Sequence, residues 1–383
     1  MFVLFFSAKE LYYLCRLSII CKICKGQDFN IFNFRDALIH IFIKKNFKNK
    51  ALEFCSCPAF DGKTFKEETV RQSANIKAIV DDVFSHYDRS QALLEPTFIC
   101  EAIGLRGRID LMTSDMSLLV EQKSGRNIYL ERNSKNRHGS RHVEKHYVQL
   151  LLYNAILHYN FGRHPDIFLL YSKYAMPDGL LEVQPLQMLT AEAIRLRNEI
   201  VATEYNTAIN GFDKVIDLLT PDTLNTEHIQ DRLYIRYQLP QIERVTTPLH
   251  KLSPLERQYF CRMMTFIMRE EITQRTGSLG ANGSSTADLW NMPLAEKRET
   301  GNIFTQLTIS GKTQSSPESG YDVVMVSVPD QGDGFLPNFR QGDAVYLYAY
   351  DEADIPDVRR SILFRAAIAE IQPDRLTLKL YNG

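Results

Sequence analysis

The sequence predicts an α/β domain, a mixed sheet flanked by helices, followed by a small all-β barrel at the C-terminal end. Three observations carry this. Short β-rich runs at Thr97–Ile103, Arg108–Met112 and Leu118–Lys123 lie between segments of helical periodicity. A Gly/Ser-rich stretch, Thr276–Thr286, interrupts the chain as a linker would. Beyond it five short β-rich segments follow one another with turn residues between them. At 383 residues there is room for two domains, each able to bury its own core.

In chain order, residues 1–50 read as a helical, partly apolar segment ending in the basic run Lys44–Lys50. A helix is expected from about Lys63 to Tyr87. After the three β runs, a polar and basic segment (Gly125–Ser140) leads into a helix near Arg141–Tyr159, with its apolar stripe at Val148, Leu151, Leu152, Ala155 and Tyr159. Asp166–Tyr174 and Leu180–Pro185 read as two more strands, and helices dominate from Thr190 to Thr276. The C-terminal strands are expected at Ile303–Ser310, Asp322–Val328, Ala344–Tyr350, Ser361–Ile371 and Arg375–Leu380. The resulting division is 1–50 (N-terminal segment), 51–215 (α/β domain), 216–275 (helical stalk), 276–290 (linker) and 291–383 (barrel).

The net charge of −1 hides an uneven distribution. Residues 122–146 carry seven Lys/Arg against two Glu, whereas 322–357 run acidic. The basic stretch directly follows a pair of carboxylates, as a phosphate-binding site requires. Lys9, Glu10 and Arg16 interrupt the apolar start, so neither signal peptide nor membrane span is expected, and seven cysteines without a secretory signal point to the cytoplasm.

The carboxylates belong to Gly107-Arg108-Ile109-Asp110 and Val120-Glu121-Gln122-Lys123. Alternate residues of a strand share a face, so Glu121 and Lys123 project together and Gln122 points away. Leu118, Leu119 and Val120 precede them in an apolar run, where two charges would be costly without a purpose. An Asp and a Glu can hold Mg²⁺, which prefers hard oxygens and keeps several waters. We therefore expect Asp110 and Glu121 as metal ligands, the main-chain carbonyl of Gln122 as a third, and Lys123 beside an attacking water. Gln149 and Tyr153, four apart, share a helix face at the rim of this site. Glu101, with Glu95 as fallback, is the candidate for an additional acid. Arg126, Arg137, Arg141 and His146 are the candidates for nucleic-acid contacts. His138, His142 and His146 are spaced by four, which fits either a basic, phosphate-facing helix end or a transition-metal site.

Residues 95–175 resemble the RecB-like branch of the PD-(D/E)XK nucleases, in particular the nuclease module of the flap-trimming replication helicase–nuclease. The resemblance rests on Gly104–Asp110, Glu121-Gln122-Lys123-Ser124-Gly125 and His146–Tyr153. It implies a restriction-endonuclease-like fold and cleavage of DNA, single-stranded or at ends, with Mg²⁺ or Mn²⁺. Several relatives hold an iron–sulfur cluster on one cysteine before and three after this region. Only Cys261 follows here, so no such cluster is expected. A zinc site from Cys21, Cys24, Cys55 and Cys57 is not expected either, because C-x-C is a poor knuckle spacing. Cys15 and Cys100 read as core.

Phe335–Tyr348 with Ser361–Ile371 is similar to the accessory barrel, domain 1B, of superfamily 1 helicases of the nonsense-decay type, and Leu252–Thr273 to its helical stalk. No ATP site is expected. Ser310-Gly311-Lys312-Thr313 lacks the leading glycine of a phosphate loop, position 306 being Gln, and reads as a strand-end turn. The resemblances imply the front part of a nuclease–helicase whose motor would be encoded downstream. The alternatives are a nucleic-acid-binding clamp without activity of its own, a nuclease acting on RNA, or a truncated gene fragment.

Overall fold

The structure, a computed structural model, describes residues 61–127, 129–130, 142–226, 228–277, 285–315 and 321–381. The N-terminal segment 1–50, the cysteines Cys15, Cys21, Cys24, Cys55 and Cys57, and Arg137, His138 and Arg141 lie outside the described residues. One compact unit takes the chain through Thr190 and resumes at Pro293, and the second is Ala191–Met292.

The first unit opens with helix α1 (Gly62–Val83), started by Asp61, whose carboxylate accepts from the Lys63 N–H at 3.0 Å. Its buried residues, Phe65, Thr69, Gln72, Ser73, Ile76, Ile79, Val80 and Val83, recur at helical spacing and so form one face. Strands β1 (Ala92–Leu94), β2 (Thr97–Cys100), β3 (Leu105–Arg108), β4 (Leu111–Thr113) and β5 (Leu118–Lys123) follow. Then come helix α2 (Glu144–Phe161), β6 (Asp166–Tyr171) and β7 (Leu180–Val183). The main sheet runs β1-β4-β5-β6-β7, with β5 and β6 parallel and the other pairs antiparallel, while β2 and β3 form a separate hairpin. This is the mixed sheet flanked by helices that the sequence predicts.

The parity of β5 decides what each face does. Leu118 and Val120 point to α1 and join Ile76, Ile79, Val80, Val83, Leu111 and Leu170 in a buried cluster. Glu121 and Lys123, of opposite parity, point to the α2 side. Helix α2 packs on β5 and β6 and also on β2 and β3. Its buried residues are Leu150, Leu151, Ala155, Ile156 and Leu157, while Tyr159 is exposed. The expected stripe through Val148 and Tyr159 is thus corrected: a helix covered on two sides buries a wider arc than one stripe.

A second sheet ends the chain, in the order β10-β11-β12-β9-β8, all antiparallel. Its strands are β8 (Thr308–Thr313), β9 (Val323–Ser327), β10 (Ala344–Leu347), β11 (Phe364–Ile371) and β12 (Arg375–Leu380). Val324, Val326, Ala366, Ile368, Leu376 and Leu378 form its core. Ser310–Thr313 lies inside β8, not in the strand-end turn expected. There a bulge between Ile309 and Gly311 bends the strand, and Gly311 lies so close to the Met325 side chain that a Cβ would sit 2.5 Å from Cε.

This sheet and the β2–β3 hairpin are joined within the first unit. Thr97 and Leu363 exchange backbone hydrogen bonds of 2.9 and 3.0 Å, and Arg359 pairs with Glu101 at 2.6 Å.

The second unit is helical, with α3 (the part of Gln187–Asn210 from Ala191), α4 (Asp213–Leu218), α5 (Leu239–His250) and α6 (Pro254–Thr276). Phe212, Ile216 and Cys261 are buried at its centre. A capping box starts α6: the Ser253 side chain accepts from the Glu256 N–H, and Glu256 accepts from the Ser253 N–H at 2.8 Å. No helix among the described residues is long and apolar enough to cross a membrane.

Candidate active site

Strand β5 ends its apolar run by placing Glu121 and Lys123 under α2, and the two side chains meet there. Lys123 Nζ donates to Glu121 Oε1 at 2.6 Å and to Gln149 Oε1 at 2.7 Å. Gln149 Nε2 donates to the Tyr153 hydroxyl at 2.8 Å. Four residues singled out by spacing are thereby one hydrogen-bonded chain, running from β5 onto one face of α2.

Asp110 lies in the bend between β3 and β4, 1% exposed, and its Oδ2 accepts from the Gln122 N–H at 2.8 Å. In a strand the N–H and C=O of one residue point to the same side, so the Gln122 carbonyl faces the same edge as the Asp110 carboxylate. The neighbouring Lys123 carbonyl goes the other way, accepting from the Ser172 N–H at 3.0 Å. Asp110 and Glu121 thus lie side by side, and the Gln122 carbonyl faces the edge that the Asp110 carboxylate occupies.

The electrostatics of the pair are unbalanced. Glu121 is 3% exposed, and burial together with the adjacent Asp110 charge pushes its carboxyl up to about 8, although Lys123 acts in the opposite direction. Its Oε2 is buried without a hydrogen-bond donor. Two buried carboxyls facing one ammonium carry one negative charge too many. Such a site is satisfied by the proton that the raised Glu121 carboxyl keeps, or by a cation. Among the described residues no cluster of three His, Cys, Asp or Glu surrounds the spot. Two carboxylates and a backbone carbonyl fit an octahedral ion that retains several of its waters.

Gly107 explains why the motif begins with glycine. A Cβ there would stand 2.9 Å from Tyr153 Cε1 and from Ile156 Cδ1, so the absence of a side chain lets α2 close onto β3. Gly107→Val is expected to destabilise the protein by about 1–3 kcal/mol through overpacking and to displace Tyr153. Urea unfolding beside a cleavage assay checks this, and an unchanged midpoint would refute it.

The remaining predicted residues are placed differently. Glu101 sits in the exposed turn after β2, engaged by Arg359, away from the cluster. Glu95 is buried, with a side chain 1% exposed, and pairs with Arg108 at 3.1 Å. Arg126 is exposed just beyond β5. His146 is half-buried on α2, its Nδ1 3.0 Å from the Tyr171 hydroxyl. Burial first, then the positive charges of Lys123 and Lys145, hold its ring down to about 4, so it is neutral at physiological pH. Any phosphate contact from His146 would therefore come from a neutral ring. His142 lies before the first turn of α2, which begins at Glu144, and its ring packs tilted, centroid to centroid at 4.3 Å, against Tyr147, so it does not align with His146 along a helix.

Tyr171 is the residue that sequence reasoning missed. It stands opposite Lys123 in the β5–β6 register, fully buried, and its hydroxyl also accepts from the Val143 N–H at 3.3 Å, fixing the start of α2. The strand parity of Asp166–Tyr171 relative to Glu121 and Lys123 carried that signal. No protein-family model and no curated protein matches this chain.

Proposed function

We propose that the chain is a divalent-metal-dependent DNA nuclease that hydrolyses phosphodiester bonds in single-stranded or end-bearing DNA. The buried carboxyl pair Asp110–Glu121, tied through Lys123 to Gln149 and Tyr153, carries this reading. Asp110, Glu121 and the Gln122 carbonyl would hold Mg²⁺ or Mn²⁺. A bound ion of this kind neutralises phosphate charge and activates water. Lys123, fixed by two acceptors, presents an ammonium beside the carboxylates, where it stabilises negative charge gathering on the phosphate oxygens. Gln149 holds that ammonium in place, and Tyr153 in turn orients the Gln149 amide. Burial holds the Tyr153 hydroxyl far above its ordinary pKa, which keeps it a neutral hydrogen-bonding group. The neutral His146 ring supports Tyr171 beside the lysine.

The C-terminal sheet is proposed as an accessory element of a helicase–nuclease, and the cytoplasm as its place of action. The test is degradation of end-labelled single-stranded DNA by the purified chain with Mg²⁺ or Mn²⁺. Metal-dependent cutting that is lost in Asp110→Ala supports the nuclease. Salt-sensitive binding without any cutting would overturn it in favour of a clamp.

A further inference from the structure

The outer face of the C-terminal sheet carries a row of side chains that its own core does not use. Tyr346 of β10 stands opposite Arg365 of β11 in register, and the Tyr381 N–H donates to the Arg365 carbonyl at 3.1 Å, which puts all three in one cross-strand row. Their neighbours Val345, Ala366 and Leu380 are of opposite parity and belong to the core cluster or pack against it, so this row faces outward. The row continues across the junction. Arg106 of β3 lies over the Tyr346 ring at 5.5 Å, and Arg365 over the Tyr381 ring at 5.3 Å. The order along the surface is therefore Arg106, Tyr346, Arg365, Tyr381: cation and aromatic in alternation. Lys379, exposed and one strand row away, extends the positive charge.

The hairpin end of the row leads toward Asp110. Arg106 and Arg108 are alternate residues of β3 and share the face opposite Gly107, which meets α2. Arg108 is 40% exposed and is fixed by the buried Glu95 carboxylate, itself held at a left-handed φ of 49° with its N–H donating to the Asp110 carbonyl at 3.2 Å. Glu95 and Arg365 line one cleft with Leu94, Phe364 and Leu380. A strained, buried glutamate is costly, and here its partner is an arginine presented to solvent two residues before the metal-ligand candidate.

We propose that Arg108, Arg106, Tyr346, Arg365 and Tyr381 form a track for single-stranded nucleic acid, with guanidinium groups taking phosphates and tyrosine rings taking unstacked bases. This rests on, and deepens, the nuclease reading. Aromatic rings stack on any base, and arginines follow the backbone charge, so a row alternating the two suits a strand of arbitrary sequence. A duplex hides its base faces and offers the rings nothing.

The test is fluorescence-anisotropy binding of labelled oligo(dT) to the full chain in EDTA, where no cutting occurs. Arg106→Gln with Arg365→Gln is expected to weaken binding about tenfold or more and to make the slope of log K against log salt shallower by about 0.7 for each phosphate no longer neutralised. Tyr381→Ala, and Tyr346→Ala with Tyr346→Phe retaining affinity, should weaken binding about tenfold at unchanged salt slope. Lys379→Glu, on an exposed position outside the row's packing, should weaken it severalfold even if an arginine variant does not fold. Binding that none of the folded variants moves, or duplex bound as tightly through the same residues, overturns the track. Equal, variant-sensitive binding of poly-glutamate would also overturn it, assigning the row to an acidic protein. Because these readouts need no metal, failure of the nuclease reading leaves them decidable: a protein that binds through the row but never cuts keeps the track and loses the nuclease.

Discussion

Replacing Lys123 by Met is expected to lower cleavage of single-stranded DNA by about 10²–10³-fold, the range for loss of one preorganised charge at a reacting centre. Its ammonium is held between Glu121 Oε1 and Gln149 Oε1 at 2.6 and 2.7 Å. A lysine fixed on two sides gives up little entropy when it stabilises charge, so its contribution falls mainly on kcat. Methionine keeps the length and removes the charge. It also takes a cation away from the carboxylate pair, which leaves the place more negative and more receptive to Mg²⁺. Two outcomes therefore separate: cleavage falls, but the Mg²⁺ concentration giving half-maximal rate stays the same or drops. If high Mg²⁺ restored the Lys123→Met rate, the lysine would be acting on metal affinity and not on the reacting phosphate. Gln149→Ala should reproduce part of the loss, because it frees the ammonium on one side without removing it.

Much of the site was legible because strand parity and helical spacing are local. Glu121 and Lys123 are two apart on a strand, Gln149 and Tyr153 four apart on a helix, and both rules hold wherever the elements are placed. Gly107 was legible as a motif residue, but its reason, the Tyr153 ring 2.9 Å from where its Cβ would be, needs the packed helix. The expected stripe on α2 fails for a related cause. Ile156 looks like the wrong face until the β2–β3 hairpin is known to meet it at Gly107. The surroundings of Glu101 depend on a long-range contact, since its partner Arg359 lies in the short helical turn Val358–Arg360 that precedes β11. So does the junction between the C-terminal sheet and the β2–β3 hairpin. The Thr97–Leu363 bridge joins segments whose pairing leaves no periodic trace in either. The row Arg106–Tyr346–Arg365–Tyr381 exists only through that junction, and no window of sequence contains it.

Glu121→Gln is expected to raise metal-free stability at alkaline pH by on the order of 2 kcal/mol while abolishing metal-dependent cleavage. The sign follows from the direction of the shift. The Glu121 carboxyl is pushed from an ordinary 4.5 up to about 8 in the folded protein. Between those values the native state holds a proton that the unfolded chain has released. Stability from this group is therefore complete below about 4.5 and is lost as pH rises through about 8, where the buried pair must carry its full charge. Glutamine keeps the shape, cannot ionise, and removes the pH dependence. Metal acts in the proton's place. Added Mg²⁺ should raise the wild-type Tm more at pH 8 than at pH 6, because at the lower pH it must displace a proton, and it should do little for Glu121→Gln. Differential scanning fluorimetry across this range, with EDTA or Mg²⁺, reads all of these at once. Parallel pH profiles for wild type and Glu121→Gln would mean that Glu121 ionises alike in the folded and unfolded protein and that its carboxyl is not raised by burial. A glutamine variant that still gained stability from Mg²⁺ at pH 8 would place the ion elsewhere.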